Sequence, residues 1–312
     1  MRTLSRTGHA AWRLQVTASN LLRTCGLDHI PARRTSSADR IVEHWLRVAA
    51  WRLFGPDGDT AVNTPLGRFF LSDGVTPPSG PQIAGRHDHE VSRWVTGLLQ
   101  PGMTVVDVGA NVGYFSIPAA EKVGRPGRVV AIEPIEANVE LLHRNIALNA
   151  ADQIQVVHAA AVSRPGPVTM HRSSFTNARG SLLRNACATG EPVEVPGTTL
   201  DTVAEQLSLD RIDLVKIDAE GADLDVLLGA GQVLARLRPR LVVEFWPRGL
   251  RRLGRDPYLL FELAAEHRYQ ITAHRRGEPV VLSEDPEVFR SYVDQLDDRN
   301  YGYSNVLLVP RG

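Results

Sequence analysis

Lysine is nearly missing from this 312-residue chain: Lys122 and Lys216 are the only two, and arginine supplies the other cations. That skew reads as a compositional habit of the genome, so arginine abundance carries no functional argument. Cysteine is equally scarce. Cys25 and Cys187 lie far apart without metal-ligand spacing, which argues against a disulfide framework and predicts a cytoplasmic protein. Net charge is absent, because 35 basic and 35 acidic residues cancel, so nothing in the balance asks for nucleic acid or an anionic membrane. No apolar run reaches membrane-spanning length, and the arginine-dotted N-terminus has no continuous apolar stretch of a secretory leader. With 43% hydrophobic residues, the chain can bury the core of one large domain and carry a smaller attachment.

Organisation follows from periodicity. The first 89 residues read as an N-terminal extension with a possible helix near Ala10–Arg23 and an amphipathic one over Arg40–Phe54. That extension is expected to cap the core, and a part in substrate gating is the alternative. Leu66–Ser72 reads as a short strand and the proline-bearing Thr76–Pro81 as a loop. From Glu90 onward strands and helices alternate. Helix Glu90–Leu99 precedes strand Met103–Val108, helix Gly113–Val123, strand Arg128–Glu133, helix Glu136–Asn149 and strand Ile154–His158. Such alternation predicts right-handed crossovers and a largely parallel sheet.

The middle is looser, with strands at Pro167–His171 and Pro192–Val195 flanking a polar loop over Ser173–Arg184. Helix Leu200–Leu207, strand Ile212–Asp218, helix Ala222–Leu228 and strand Arg240–Phe245 restore the rhythm. Helix Pro257–His267 and strand Tyr269–Ala273 follow, then an acidic helix or loop at Pro286–Asp298 and strand Asn305–Val309. No convincing crossover helix precedes that last strand, so it is expected to insert antiparallel.

The turn Asp107-Val108-Gly109-Ala110-Asn111-Val112-Gly113-Tyr114 is the most informative stretch. A β-branched run breaking into a glycine turn and a helix presents backbone to a ligand, and Glu133 closes the next strand where a carboxylate can accept ribose hydroxyls. A dinucleotide fingerprint would need glycine where Asn111 and Tyr114 stand, for pyrophosphate approach and for helix–strand contact. The turn opens instead with a carboxylate, which suits the cation of S-adenosylmethionine, although Asp107 could also simply cap the turn.

These segments, with Ala131-Ile132-Glu133-Pro134, Asn145-Ile146-Ala147-Leu148-Asn149, Thr199-Leu200-Asp201, Val215-Lys216-Ile217-Asp218-Ala219-Glu220-Gly221-Ala222 and Asn305-Val306-Leu307-Leu308, resemble the FkbM-type family of S-adenosylmethionine-dependent methyltransferases. The resemblance runs in order from about Glu90 to the C-terminus. It implies an α/β fold with a seven-stranded, Rossmann-like methyltransferase sheet, mostly parallel with an antiparallel last strand, over residues 90–312. A small, mostly helical extension over residues 1–89 would precede it. It further implies that Asp107, Gly109, Ala110, Asn111 and Gly113 hold the methionine end, that Glu133 holds the ribose, and that the chain around His158–Ala160, including Ala160, frames the adenine. Asp223 stands where many relatives carry Glu, and Ala219 where Val is common.

The chemistry is expected at the carboxyl ends of the strands. Lys216, Asp218 and Glu220 alternate there, which is unusual in a strand apolar on both faces. Either Lys216 and Asp218 form an ion pair that fixes the turn, or Asp218 or Glu220 orients and deprotonates an acceptor. Glu244, closing the next strand, is the third candidate acid, while His158 and His171 are alternative bases. A divalent metal on acids such as Asp218 and Glu244 is another way to activate a hydroxyl. No His/Cys cluster supports a metal, and the run His87-Asp88-His89-Glu90 reads as a solvated helix start, so no residue is assigned to one.

The expected activity is O-methylation of a small hydroxylated molecule, a sugar or secondary metabolite, without nucleic acid or membrane partners and in an oligomeric state the sequence leaves open. N-methylation, and a non-catalytic adenosyl-binding scaffold docking through Arg33, Arg34 and Arg40, are the alternatives. Base-directed amino methyltransferases often carry Asn/Asp-Pro-Pro-aromatic where this chain reads Asp218-Ala219-Glu220-Gly221.

Overall fold

The computed structural model describes residues 61–64, 66–70, 97–172, 180–181, 192–275, 278–297 and 302–312. The expected helices at Ala10–Arg23 and Arg40–Phe54, the Thr76–Pro81 loop, the 87–90 run, Arg33, Arg34, Arg40, both cysteines and most of helix Glu90–Leu99 lie outside the described residues. So does nearly all of the Ser173–Arg184 loop.

A short hairpin comes first, β1 (Ala61–Thr64) and β2 (Gly67–Phe70). Next, β3 (Thr104–Val108) enters the middle of the main sheet, its three valines β-branched and buried on both faces. Helix α1 (Ser116–Val123) buries Ile117, Ala119, Ala120 and Val123. It begins three residues later than the spacing predicts, because Gly113 at φ +97° is still part of the turn. β4 (Arg128–Glu133), α2 (Glu136–Asn149) and β5 (Ile154–His158) follow within the expected bounds, and Ala150 in the left-handed region stops α2.

A small second sheet comes next, in the order β6 (Ala160–Ala161), β9 (Val193–Thr198), β7 (Gly166–Arg172) and β8 (Gly180–Ser181). Its own apolar cluster joins Ala160, Val162, Met170 and Val195 to Ile135. Helix α3 (Leu200–Gln206) starts at Thr199, whose side chain accepts from the Thr202 amide at 3.0 Å. Then come β10 (Leu214–Ile217), α4 (Asp223–Leu228), a π turn at Val233–Leu237 and β11 (Arg240–Phe245). The chain closes with α5 (Pro247–Arg252), α6 (Leu259–Glu266), β12 (Tyr269–Arg275), β13 (Glu278–Val281), α7 (Pro286–Asp297) and β14 (Ser304–Pro310).

The main sheet runs β13-β12-β14-β11-β10-β3-β4-β5. β11, β10, β3, β4 and β5 are parallel neighbours, while β14 lies antiparallel between β11 and β12. This is the expected seven-stranded arrangement with an antiparallel last strand, extended by β13 as an eighth strand at the edge. Pro279 is tolerated in β13 because an edge strand can lack a ladder donor. One expectation needs correcting. A helix does lead into the last strand: α7 buries Phe289, Val293 and Leu296 in the core, with the Phe289 ring 5.7 Å from that of Phe245.

Alternation sorts the two faces of the sheet. Leu241, Val243 and Phe245 of β11 face the core shared with α3, α4, α6 and α7. Val242 faces the opposite way, with Val105, Ala131 and Leu214, toward α1. Phe69 of the hairpin is fully buried in that second core, although residues 61–70 fall within the expected N-terminal extension.

Candidate active site

The α1-facing side of the central strands turns polar as it reaches their carboxyl ends. Register places Lys216 of β10 between Asp107 of β3 and Val242 of β11. One step further on, beyond the last β10–β11 pair, Asp218 comes beside Glu244, and Glu244 pairs directly with the buried Asn305 of β14. The β3 and β10 turns interlock here. A Cβ added to Gly109, at φ +74°, would lie 2.0 Å from the carbonyl oxygen of Asp218, so no other residue fits.

Asp107 is wholly buried beneath that turn. Its Oδ2 accepts from Ser116 Oγ at 2.6 Å, and its Oδ1 lies 3.3 Å from Lys216 Nζ, an ion pair without hydrogen-bond alignment. Burial raises the Asp107 pKa, while Lys216 and Ser116 pull it back. Lys216 Nζ also sits 3.4 Å from Asp218 Oδ2 and reaches the carbonyls of Gly109 at 3.4 Å and Val108 at 3.5 Å. Burial works against the ammonium, yet Asp218 and Asp107 outweigh it and its pKa is raised. Asp218 itself keeps 34% of its side-chain surface open, so it is the member of this trio that a ligand can reach.

The expected cofactor residues cluster around the turn, but its amides are largely spent. Those of Gly109 and Ala110 both donate to Ile132 O at 3.0 Å, that of Gly113 to Ala110 O, and that of Asn111 to Glu133 Oε2 at 2.9 Å. Asn111 takes up φ +51°, and Ala110 is buried in the α1-side core. The turn is thus a rigid shape held by its own bonds more than a set of open donors. Glu133 accepts at its other oxygen from the Ile135 amide at 3.0 Å and from Asn138 Nδ2 at 2.9 Å. Burial raises its pKa and these bonds partly offset that rise. A carboxylate has about four lone-pair positions and these three bonds leave one, so Glu133 can still accept from one hydroxyl, which fits an adenosyl ribose.

Glu220 and Gly221 both adopt positive φ in the turn after β10. Asp223 fixes that turn by accepting from the Ala219 amide at 2.9 Å and the Gly221 amide at 3.2 Å. Burial pushes the Asp223 carboxyl up to about 7. Burial, followed by the charges of Asp218, Asp223 and Glu220, holds Glu244 well above the usual carboxylate range. Asp218, Glu220 and Glu244 therefore feel one another, yet among the described residues no three His, Cys, Asp or Glu side chains converge as metal ligands.

The histidines lie elsewhere. His158 ends β5, three strands from β10, with Nε2 3.1 Å from Pro134 O and Nδ1 3.5 Å from Glu136. His171 belongs to the second sheet. Ala160 follows His158 closely, but its side chain packs into the small core beside Ile135 and leaves only backbone for a ligand.

Sequence reasoning passed over Ser116, and it gave Asn145 and Asn305 no role beyond their place in the family-like segments. Asn145 accepts from the Phe70 amide at 2.8 Å and donates to Val112 O at 2.9 Å, joining the hairpin to the glycine turn. Asn149 does the same to Arg68, accepting from its amide and donating to its carbonyl. The spacing of these two asparagines, four apart on α2, was the available signal.

A family model described as the methyltransferase FkbM domain matches residues 107–301, well over half of the chain. Methyltransferase sdnD of Sordaria araneosa is 28% identical over 179 residues, covering 47% of this chain and 68% of that protein. Methyltransferase 1 of Beauveria bassiana (strain ARSEF 2860) is 28% identical over 159 residues, covering 45% of this chain and 63% of the relative. Among solved structures, Methyltransferase FkbM from Methylobacillus flagellatus KT aligns over 88% of this chain and 72% of its own, with 16% identity and a TM-score of 0.42. No helix among the described residues is long and apolar enough to cross a membrane.

Proposed function

We propose, from the premise that this chain belongs to the FkbM family of S-adenosylmethionine-dependent methyltransferases, that its acceptor is a hydroxyl of a small molecule, a sugar or a secondary metabolite. The observation that carries this reading is Asp218: a partly open carboxylate, held by Lys216 and lodged against the Gly109 turn. Bound there, S-adenosylmethionine would supply an electrophilic methyl group on a sulfonium. The chain's own residues do the rest. Gly109 and Asn111 shape the seat of the methionine end, and Glu133 accepts ribose hydroxyls. Asp107 acts from beneath, through Lys216 and Ser116, without meeting the ligand itself.

In-line displacement depends on alignment, so the rigidity of the two interlocked turns is part of the chemistry. An alcohol is a poor nucleophile at neutral pH, and a positioned carboxylate that takes its proton adds about 10²–10⁴-fold. In this reading Asp218 takes that proton, which its partly open carboxylate beside Lys216 supports, while Glu220 and Glu244 orient the acceptor. The test is release of S-adenosylhomocysteine across a panel of hydroxylated and amino acceptors, with Asp218→Ala beside the wild type. Turnover confined to alcohols and depressed at least 100-fold by the substitution supports the reading. Turnover confined to amines, or full rate in Asp218→Ala, refutes it.

A further inference from the structure

Asp107, Lys216 and Asp218 form a charge count as well as a scaffold. The 2.6 Å bond from Ser116 is short, as expected for a hydroxyl donating to an ionised carboxylate, and the ammonium sits 3.3 and 3.4 Å from its two acids. Two carboxylates and one ammonium leave a single negative charge at the exit of β3 and β10. Without Lys216 the two acids would have no cation between them. That lysine is one of only two in a chain whose other side-chain cations are arginine and histidine. Its compact ammonium meets two carboxylates and two carbonyls from one point, where an arginine would present a planar fork.

We propose that Lys216 is a positioning residue that sets the Asp107–Lys216–Asp218 trio to one negative unit, so that the trio is balanced by a bound sulfonium and is itself neutral after the methyl has left. The inference rests on the methyl-donor reading above. During transfer the acceptor oxygen forms the new C–O bond, its proton passes to Asp218, and the C–S electron pair stays on sulfur. One carboxylate charge and one sulfonium charge thus disappear together, and the trio and its ligand taken together stay neutral. Among the described residues the other acids around Asp218 are Glu220, Asp223 and Glu244, outside the trio's count; burial raises the pKa of the last two.

The test is the ratio of S-adenosylhomocysteine to S-adenosylmethionine affinity, measured by calorimetry without any acceptor. Lys216→Met adds a net negative charge and should shift the ratio roughly tenfold toward the cationic donor. Asp107→Asn removes one and should shift it roughly tenfold toward the neutral product. The double variant restores one negative charge, and the two shifts should cancel. Shifts in the same direction, or none, overturn the proposal. If Lys216→Met does not fold, the direction of the Asp107→Asn shift decides alone. A wild type that binds both molecules with ratios unmoved by substitution refutes only the charge assignment; a wild type that binds neither refutes the donor reading beneath it.

Discussion

Glu244 shows how a buried carboxyl at a strand end can weigh on stability. Its pKa lies well above the ordinary 4.5, so the folded protein holds that proton more tightly than the unfolded chain does. Stability from this group is fully present below the unfolded value and is lost as pH rises through the folded one. Glu244→Gln should therefore match the wild type near pH 4, melt higher at pH 8, and turn over more slowly, as thermal melts and initial rates would show. Gly109→Ala should do harm on every count, since a Cβ 2.0 Å from the Asp218 carbonyl forces both turns apart. A loss of about 1–3 kcal/mol in urea unfolding, together with weaker S-adenosylhomocysteine binding, is expected. The strand-end acids and the turn glycines were legible because their positions follow from strand limits alone. Ser116 and Asn305 were not: one serine at a helix start and one asparagine in a strand look ordinary until the register brings Asp107 and Glu244 against them.

Among elements, the parallel strands read cleanly because runs such as Val105–Val106 and Val129–Val130 are apolar on both faces. Helix α7 shows a missed signal. Phe289, Val293 and Leu296 recur at helical spacing, but the acidic residues around them masked a stripe that packs on the sheet. Strand β13 was hidden by Pro279, which argues against a strand in any position except an edge. The hairpin's anchorage could not be read locally, because Asn145 and Asn149 bond to backbone some 75 and 81 residues away. Asn145→Ala should strip partners from the Phe70 amide and the Val112 carbonyl. We expect a cost of about 2–4 kcal/mol in denaturant unfolding and faster hydrogen exchange at Phe70.

At the scale of the whole molecule, order along the chain and order in the sheet differ in a way that makes the site. β3 and β10, whose paired residues such as Val108 and Ile217 lie 109 apart in sequence, become neighbours, and both turns that matter emerge side by side at one edge. Because the proposed donor seat draws on β3, β4 and β10 together, its ligand should protect the fold as a unit. S-adenosylhomocysteine at 100 times its dissociation constant should raise the melting temperature by about 5 °C or more, and NAD should leave it unchanged. An equal shift with NAD would contradict the reading of the turn.

The side-chain amide of Asn145 has one hand on the β1–β2 hairpin and the other on the glycine turn. Traction on residues 61–70 is therefore felt at Val112 with no intervening element to absorb it. Whatever lifts that hairpin slackens the loop on which the methyl donor would rest, making the protein's flank a handle on its centre.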